Sequence, residues 1–424
     1  MVAGVLVAAC LLLAGAAPAS AGTLARVSVA ADGGDPDGAS HAAAIAADGR
    51  VVGFTSAASN LVAGDGNGAS DVFVRDLERG ATERVSVAAA GGDADGASAG
   101  VALSADGRLV AFASAATDLV PDDTNGVADV FVRDRAAGTT ERVSLAADGR
   151  QGDGASFGAV AISADGRFVA FRSFATNLVP DDTNGVTDVF VRDRTAGTTE
   201  RVSVGAAGEG DGMSFWPALS ADGAVVAFVS AADNLVAGDG NREIDVFVRD
   251  RGAGTTERVS RGPGGAQTTT ASLGFPDLSA DGRLVVFASG TRELVAADGD
   301  TNGQSDIFVR DRAAATIERV SLGPDGVEGD GGSIEAAISG DGRRVVFYSA
   351  ATTLAPGDAN RTFDVFLHDR SSDTLTRLTA GDGPSYVTGK AISADGGAVA
   401  LTSAASDLVP GDRNGVADVF LWRP

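Results

Sequence analysis

The string Asp-(Val or Ile)-Phe-(Val or Leu) occurs seven times in this 424-residue chain, and its spacing constrains the fold more than any other feature. The copies lie 54 to 61 residues apart and begin at Asp71, Asp129, Asp188, Asp245, Asp306, Asp364 and Asp418. Similar units at a nearly constant spacing are typical of a repeat protein, in which each unit packs against its neighbours. The length alone would allow two or three domains, but the repeat predicts one array.

Each unit has the pattern of four short strands. The strands predicted for the second copy are Val101–Ser104, Leu109–Ser114, Asp129–Arg133 and Thr140–Leu145. An Asp-Gly pair, typical of a hairpin turn, separates the first two strands. Four antiparallel strands per unit, repeated four to eight times, describe the blades of a β-propeller. We therefore predict an all-β fold, a seven-bladed propeller with four antiparallel strands per blade.

The two ends of the chain predict how the ring closes. The last unit stops after its third strand, Asp418–Trp422, whereas the segment Leu24–Ser28 matches the fourth-strand pattern Glu-Arg-Val-Ser. The fourth-strand arginine recurs seven times, at Arg26, Arg84, Arg142, Arg201, Arg258, Arg319 and Arg377. We therefore expect residues 23–30 to complete the seventh blade, because pairing satisfies backbone groups that an open edge would leave free.

The repeat resembles a known family. Leu-Ser-Ala-Asp-Gly-Arg-x-Val-Ala-Phe, followed by Asp-Val-Phe-Val-Arg-Asp and Glu-Arg-Val-Ser, is similar to the TolB-like propeller repeat, and the similarity covers all seven units. This chain has Ala where that family has Pro before Asp-Gly, and a longer insertion between strands two and three. We expect no counterpart of TolB's additional N-terminal domain. The resemblance implies the fold and an extracytoplasmic location, and it does not carry over TolB's partners.

The first 21 residues have the pattern of a secretory signal peptide. An apolar stretch, residues 2–17, precedes Ala19-Ser20-Ala21, a small-x-small cleavage site, so we expect cleavage after Ala21 and a single propeller domain over residues 22–424. Anchoring as a lipoprotein at Cys10, the only cysteine, is the alternative. No other segment is apolar for long enough to span a bilayer. The expected location is therefore secreted or periplasmic.

The net charge of −24 limits the partners. Nucleic acid and anionic membranes bind clustered Lys and Arg, whereas Lys390 is the only lysine here and the arginines are spread over the repeats. We therefore exclude nucleic acid, and we expect a monomer whose partner is a protein or a glycan.

The insertion between strands two and three holds the most regular polar pattern, Asp-x-Asn-x-x-x-Asp. Its copies are Asp65/Asn67/Asp71, Asp123/Asn125/Asp129, Asp182/Asn184/Asp188, Asp239/Asn241/Asp245, Asp300/Asn302/Asp306, Asp358/Asn360/Asp364 and Asp412/Asn414/Asp418. Alternating Asp and Asn in a tight loop is a common way to bind Ca²⁺, and the pattern resembles a shortened form of the calcium loops of integrin-type propellers. The alternative is a turn, in which Asp and Asn cap nearby backbone amides.

A second acidic loop, Asp-Gly-x-Ser, precedes strand one in six units. It begins at Asp37, Asp95, Asp153, Asp211, Asp330 and Asp382, and blade five has Thr269–Ser272 instead. In a propeller these loops and the strand-two-to-three loops emerge on the same face. That face is therefore predicted to be acidic, suited to a cationic partner, to calcium or to calcium-bridged glycans, or simply to solvent.

Departures from the repeat are where a specific site would lie. Phe215, Trp216 and Tyr386 lie just before or within innermost strands, where other blades have mostly small residues, so they are candidates to bind sugars or a peptide at the mouth of the central channel. Filling a gap between unequal blades is the alternative. Lys390 is a further departure.

Catalytic motifs are scarce. Gly96–Gly100 matches Gly-x-Ser-x-Gly but lies in a repeated loop without the strand–turn–helix context of a nucleophile, and His368 replaces a repeated arginine. We therefore favour a non-catalytic binding module over a carbohydrate-active hydrolase or lyase, with a purely structural envelope protein as a third reading. Channel-facing carboxylates with His41 near the axis would favour the enzyme, and a channel of Ala, Ser and Gly would favour the binder.

Overall fold

The computed structural model describes residues 22–272, 274–295 and 299–424. Over these residues the chain forms seven four-stranded antiparallel sheets and one two-stranded hairpin. The sheets are the blades of a propeller around a central channel, which confirms the predicted fold class. The predicted signal peptide and Cys10 lie outside the described residues, so cleavage after Ala21 stays a prediction.

The strands are numbered in chain order, and strand β1 (Thr23–Arg26) belongs to the last blade. Blade one comprises β2 (Ser40–Ile45), β3 (Val51–Ser56), β4 (Asp71–Asp76) and β5 (Ala81–Arg84). Blade two comprises β6 (Ser98–Leu103), β7 (Leu109–Ser114), β8 (Asp129–Asp134) and β9 (Thr139–Arg142). Blade three comprises β10 (Ala161–Ile162), β11 (Phe168–Ser173), β12 (Asp188–Asp193) and β13 (Thr198–Arg201). The hairpin β14 (Val204–Gly205) and β15 (Gly208–Glu209) follows.

Blade four comprises β16 (Ser214–Leu219), β17 (Val225–Ser230), β18 (Asp245–Asp250) and β19 (Thr255–Arg258). Blade five comprises β20 (Asp277–Leu278), β21 (Leu284–Ser289), β22 (Asp306–Asp311) and β23 (Thr316–Arg319). Blade six comprises β24 (Ser333–Ile338), β25 (Arg344–Ser349), β26 (Asp364–Asp369) and β27 (Thr374–Arg377). Blade seven comprises β28 (Ser385–Tyr386), β29 (Val399–Ser403), β30 (Asp418–Arg423) and β1.

Three short 3-10 helices occur in loops, at Pro263–Gly265, Arg292–Leu294 and Pro324–Gly326. No helix among the described residues is long and apolar enough to cross a membrane.

The predicted strand boundaries of the second unit are right for strand two and differ by up to three residues elsewhere. Strand one begins at Ser98 rather than Val101, and strand four ends at Arg142 rather than Leu145. The early end has a polar cause, because the buried Ser144 hydroxyl donates to Asp129 across 2.5 Å. The Ser144 hydroxyl also accepts the backbone amide of Val130 across 3.0 Å, so a side chain takes the place of the next backbone bond of the ladder.

The N-terminal strand closes the ring as predicted. Strand β1 pairs antiparallel with β30, in a register that sets Thr23 opposite Arg423 and Arg26 opposite Phe420. The strand is shorter than the predicted segment 23–30, but the backbone amide of Val27 still donates to the Val419 carbonyl across 2.7 Å. The seventh blade is therefore assembled from both ends of the chain.

The hydrophobic core lies between the facing sheets of neighbouring blades, for example between Val130 of blade two and Phe171 of blade three, and its largest members come from the second and third strands. A fully buried phenylalanine of one strand stacks on that of the next in blades one to six, with ring centroids 5.8 to 6.1 Å apart. Blade seven pairs Leu401 with Phe420 at the same position. Such pairs bury large apolar surfaces and fix the distance between strands. Because the core is repeated in every blade, we look for functional residues in the loops and the innermost strands.

Candidate functional site at the channel mouth

The Asp-x-Asn-x-x-x-Asp loop and the fourth strand form one buried polar network, as blade two shows. Arg142 Nη1 lies 2.9 Å from Oδ1 of Asp123 and 2.9 Å from Oδ2 of Asp129. Asn125 Nδ2 donates to Asp129 Oδ2 across 2.8 Å, and Ser144 Oγ donates to Asp129 Oδ1. Asn125 Oδ1 accepts the backbone amide two residues on, which closes the turn. Two motifs that look independent in the sequence are therefore two halves of one structure.

The same network recurs in all seven blades. The arginine of strand four pairs with both motif aspartates, and a serine or Thr379 donates to the free oxygen of the final aspartate. The pairs are Arg26 with Asp412 and Asp418, Arg84 with Asp65 and Asp71, Arg142 with Asp123 and Asp129, Arg201 with Asp182 and Asp188, Arg258 with Asp239 and Asp245, Arg319 with Asp300 and Asp306, and Arg377 with Asp358 and Asp364.

The motif asparagines, which the sequence offered as calcium ligands, make the contacts of a turn in every blade. Their Nδ2 atoms donate to the final aspartate across 2.7 to 3.3 Å. Their Oδ1 atoms accept the backbone amide two residues further along the chain, across 2.8 to 3.3 Å. The seven are Asn67, Asn125, Asn184, Asn241, Asn302, Asn360 and Asn414. The amide oxygen that would face a calcium ion thus already serves a backbone N–H group, as the turn interpretation requires.

The guanidinium group likewise lies between the two carboxylates that the sequence offered as calcium ligands. Among the described residues, no group of three or more His, Cys, Asp or Glu side chains is arranged so that it could hold a metal ion. The contacts of the arginine and of the asparagine therefore both differ from those expected of a calcium loop. Calcium binding by these loops stays a prediction.

Burial shifts the acidity of the first aspartate in every loop. Loss of solvent raises the pKa of Asp182 and of Asp239 to about 6, even though each carboxylate faces an arginine. The pKa is raised for the same leading reason at Asp65, Asp123, Asp300, Asp358 and Asp412. Burial therefore disfavours the charged form of these carboxyl groups at neutral pH.

The second acidic loop locks the turn that follows strand two. Asp37 accepts the backbone amide of Ser59 across 2.7 Å and its hydroxyl across 2.6 Å, and the hydroxyl bond lowers the pKa of Asp37. Four other blades repeat the pattern, with Asp95 on Thr117, Asp153 on Thr176, Asp330 on Thr352 and Asp382 on Ser406. Blade five reverses it, since Thr269 donates to Glu293. These carboxylates therefore stabilise turns on the loop face.

A ring of positive-φ residues, called the bulge ring, surrounds the channel near this face, and in blades one, two, four and six the register of strand one against strand two shifts beside it. One residue near the start of each innermost segment has a positive φ: Ala42, Gly100, Gly158, Trp216, Gly274, Glu335 and Lys390. Only glycine adopts this conformation without strain, so Trp216 (φ 54°), Glu335 (φ 43°) and Lys390 (φ 67°) are strained. Bulges re-aim side chains, and strain of this kind gathers at functional sites.

Two of the three aromatic candidates lie together. Trp216 contacts Phe215 edge to face at 4.8 Å between ring centroids, and its other neighbour is Phe275 of blade five at 4.7 Å. All three rings are partly exposed. This group is named the tryptophan cluster.

Tyr386 belongs to a separate group. It packs edge to face on the buried Tyr348 at 5.3 Å, and Phe363 lies 5.8 Å from it. This tyrosine cluster joins blades six and seven, whereas the tryptophan cluster joins blades four and five. The predicted ligand-binding residues therefore lie in two groups rather than one. The tryptophan and tyrosine clusters together are named the rim.

Two large apolar side chains, one in blade three and one in blade four, are also exposed to solvent. Phe174 and Met213 are 46% and 49% exposed, and both follow or precede strand ends on the loop face. Phe174 stacks on Phe157, which in turn lies 4.2 Å beneath the Arg172 guanidinium. Exposed large apolar residues of this kind mark interaction surfaces when they cluster.

Glu335 is the acidic residue of the bulge ring. Burial raises its pKa to about 7, and its charge in turn contributes to the raised pKa of Tyr348. A carboxyl group with a pKa close to neutrality can exchange protons at physiological pH.

The channel itself contains two cavities. The upper one, next to the bulge ring, has a volume of about 230 Å³, and the lower one about 140 Å³. Ala, Gly, Val, Pro and Phe residues form most of the upper wall, and His41 is exposed at the start of β2 rather than part of that wall. Lys390 borders both cavities, and its Nζ donates to Oδ1 of Asp277 across 2.5 Å.

Sequence reasoning noticed Lys390 but missed its partner. Asp277 lies where the other six blades have alanine, at Ala44, Ala102, Ala161, Ala218, Ala337 and Ala391. It also missed Phe275, Phe363 and Glu335, each of which contacts or borders the residues that were found. Comparing the seven units column by column would have found Asp277, because a lone carboxylate in an alanine column is a departure from the scaffold.

Solved structures similar to this chain are β-propellers with different roles. An oligogalacturonate lyase from Vibrio parahaemolyticus aligns with a TM-score of 0.55 at 12% identity, over 95% of this chain and 97% of that one. The β-propeller domain of the Trilobed protease from Pyrococcus furiosus, which has an open velcro topology, aligns with a TM-score of 0.54 at 10% identity, over 91% and 95%. A TolB protein from Agrobacterium tumefaciens aligns with a TM-score of 0.45 at 17% identity, over 81% and 94%.

No protein-family model matches the chain, and no curated protein sequence matches it either. At these identities a structural likeness shows the fold alone. The chain is therefore a seven-bladed β-propeller, in agreement with the TolB-like repeat in its sequence.

Proposed function

We propose that this protein is a secreted or periplasmic, non-catalytic binding module that holds a protein or glycan partner on its loop face. The observation that carries the proposal is the placement of its departures from the repeat. The tryptophan cluster lies on the innermost segments of blades four and five, and its Phe275 borders the upper cavity. The tyrosine cluster reaches from Tyr386, in the innermost strand of blade seven, to Tyr348 in the second strand of blade six. Partly exposed aromatic rings bind sugar faces and apolar side chains with little loss of conformational entropy.

The composition of the channel supports the same function. The upper wall has the Ala and Gly expected of a binder, with Val, Pro and Phe where Ser was expected, and it includes one carboxylate, Asp277, paired with Lys390. The repeated acidic motifs are engaged in turns and arginine pairs, which supports a scaffold role for them. Calcium in the strand-two-to-three loops is the finer part of this proposal, and the contacts of the arginines and asparagines favour the turn interpretation over it.

The test compares rim variants for capture of a partner. The wild-type protein, immobilised, is exposed to a glycan array and to native culture supernatant, and retained ligands are identified. Phe215→Ala together with Tyr386→Ala is expected to weaken retention at least about tenfold, since each truncation removes an aromatic contact. Val327→Ala is the control, because Val327 is an apolar side chain that is 48% exposed and lies outside both clusters. Equal retention by all three proteins would refute the proposal.

A carbohydrate-active hydrolase or lyase is the second candidate, and Glu335 is the observation that favours it. Its pKa of about 7 suits a general base or acid, and Tyr348 lies near enough to sense its charge. Oligogalacturonate and other anionic glycans are the substrates to assay, with unsaturated ends followed by ultraviolet absorbance and new reducing ends by a colour reaction. Turnover that disappears in Glu335→Gln would establish the enzyme and overturn the non-catalytic proposal.

A further inference from the structure

The upper channel cavity has the features of a small-molecule site, which adjoins the tryptophan cluster through Phe275 and lies apart from the tyrosine cluster. Its volume of about 230 Å³ exceeds that of a cavity of about 150 Å³ that takes up benzene. The walls include Val101, Val160, Pro217, Phe275 and Pro276, so most of the surface offers dispersion contacts rather than hydrogen bonds.

One pair of charged residues interrupts this apolar wall. Asp277 is 1% exposed, and both of its oxygens are engaged: Oδ1 accepts Lys390 Nζ across 2.5 Å, and Oδ2 accepts the Ile338 amide across 3.1 Å. The pair crosses from blade seven to blade five. Asp277 borders the upper cavity and Leu278 the lower one, which puts the ion pair between them.

The Lys390 ammonium group has more N–H donors than hydrogen bonds to the described residues. An ammonium group carries three N–H bonds, and within the described chain Asp277 is the only hydrogen-bond partner of Nζ. The Lys390 side chain also keeps 34% of its exposure, although its partner is buried. The ammonium group therefore offers hydrogen bonds to a molecule in the upper cavity while its charge stays compensated by Asp277.

We propose that the upper cavity binds a small, neutral, mainly apolar molecule, one or two rings in size, whose carbonyl or amide oxygen accepts a hydrogen bond from Lys390. An anionic ligand would bring a second negative charge close to Asp277 in a low-dielectric wall, within a protein of net charge −24. A cationic ligand would face the Lys390 ammonium. A neutral oxygen avoids both penalties, and the apolar remainder of the molecule packs on Phe275 and the prolines.

The single lysine of the chain provides a residue-specific readout. Protein grown on lysine labelled with carbon-13 at Cε gives one labelled methylene signal, that of Lys390. The signal is followed during titration with benzamide, benzoate and benzylamine, which share a ring and differ in charge. We expect benzamide to shift the signal saturably and to bind at least about threefold more tightly than either charged probe. The reason is that benzamide accepts a hydrogen bond from Lys390 and, unlike benzoate or benzylamine, meets no like charge.

Two variants separate the hydrogen bond from the shape of the cavity. Asp277→Ala combined with Lys390→Met restores the alanine of the other blades and leaves no buried charge unpaired, so the fold is expected to persist. Benzamide binding, measured for this variant by ligand-observed NMR, should weaken about threefold to tenfold, while toluene binding stays within about twofold. Tyr386→Ala, a rim variant outside this cavity, should leave benzamide binding unchanged, which makes failure of this site distinguishable from failure of the rim proposal.

Three results would overturn the inference. They are an unchanged Lys390 signal at saturating benzamide, tighter binding of benzoate than of benzamide, and equal benzamide affinity in the wild type and the double variant. Thermal unfolding of each variant shows that the comparison is made between folded proteins.

Discussion

Ser28 donates a hydrogen bond of 2.6 Å to Oδ1 of Asp418, although the two residues lie 390 positions apart in the chain. In blade two the equivalent bond joins Ser144 to Asp129, only 15 positions apart. The ring therefore closes with the same contact that every other blade makes locally. The difference is entropic, because the closing contact must hold together the two ends of the whole chain.

Closure predicts that the N-terminal strand stabilises the entire propeller. Deleting residues 22–31 should lower the melting temperature by more than any single substitution described here, because it exposes β30 and leaves Asp418 buried without Ser28 or Arg26. Circular dichroism during heating measures the effect. A deletion mutant as stable as the full domain would show that the seventh blade does not depend on this strand.

The arginine of strand four is predicted to stabilise each blade strongly. Replacing Arg142 by Met leaves Asp123 and Asp129 buried without a counter-charge, which should reduce the free energy of unfolding by about 3–5 kcal/mol. Arg150→Met is the matched control, since Arg150 pairs with Asp148 on the surface, and it should cost less than about 0.5 kcal/mol. Urea unfolding compares the two, and similar losses would contradict the prediction.

Chelation separates the two interpretations of the acidic loops. The guanidinium already occupies the position between the two carboxylates, so we expect the melting temperature to change by less than about 1 °C on adding EDTA or millimolar Ca²⁺. A fall with chelator that Ca²⁺ restores would instead establish calcium in the loops. Mg²⁺ at the same concentration is the control for ionic strength.

Stability is predicted to fall as pH rises from about 4 to about 7, the upper part of this range through Glu335, whose pKa is about 7. The folded protein keeps protons on Asp182 and Asp239, whose pKa is about 6, after the unfolded chain has released them near 3.8, so raising the pH favours unfolding in this window. Below about pH 4 the sign reverses, because arginine partners hold the pKa of Asp134 and Asp193 at about 2 and their protonation costs stability.

The melting temperature should therefore be higher at pH 4.5 than at pH 7.5, by about 2 °C or more. Asp182→Asn with Asp239→Asn removes the two aspartates whose pKa is raised to about 6 and should reduce this difference. Asp148→Asn, on the surface, serves as the control and should leave it unchanged. A flat or rising profile over this range in the wild type would show that these carboxyl groups are not perturbed as described.

The strained bulge predicts a substitution that stabilises the protein. Glu335→Gly places glycine where blades two, three and five already have it, removing a positive-φ side chain and a partly buried carboxyl group, and should raise the free energy of unfolding by about 1–2 kcal/mol. Ala42→Gly relieves backbone strain alone and should gain less. Urea unfolding at pH 7.5 measures both. Loss of stability in Glu335→Gly would mean that the glutamate makes stabilising contacts at the mouth.

Much of the fold could be predicted because the chain repeats itself. The alternation of each strand, the Asp-Gly turns and the split seventh unit are local patterns, and local patterns persist in three dimensions when the same unit recurs seven times. Boundaries such as the end of β9 at Arg142 could not be predicted, because they depend on the side-chain bond between Ser144 and Asp129 rather than on propensity.

The candidate site was only partly accessible from the sequence. Phe215, Trp216 and Tyr386 stand out because they break the repeat, but nothing in their positions along the chain tells that they fall into two clusters. The acidic loops were open to two interpretations because their partner, the arginine of strand four, is 13 positions away from the aspartate that it contacts in blade two.

The sequence by itself determined the number of blades, the closure by the N-terminal strand and the channel mouth as the place to look for a site. Only the tertiary structure decided which charges meet. It sets Arg142 between two carboxylates of its own blade, and it brings Lys390 of blade seven to Asp277 of blade five across the channel. The physical reason is that a repeat fixes contacts within a unit, whereas contacts across the axis depend on how seven unequal units close into one ring.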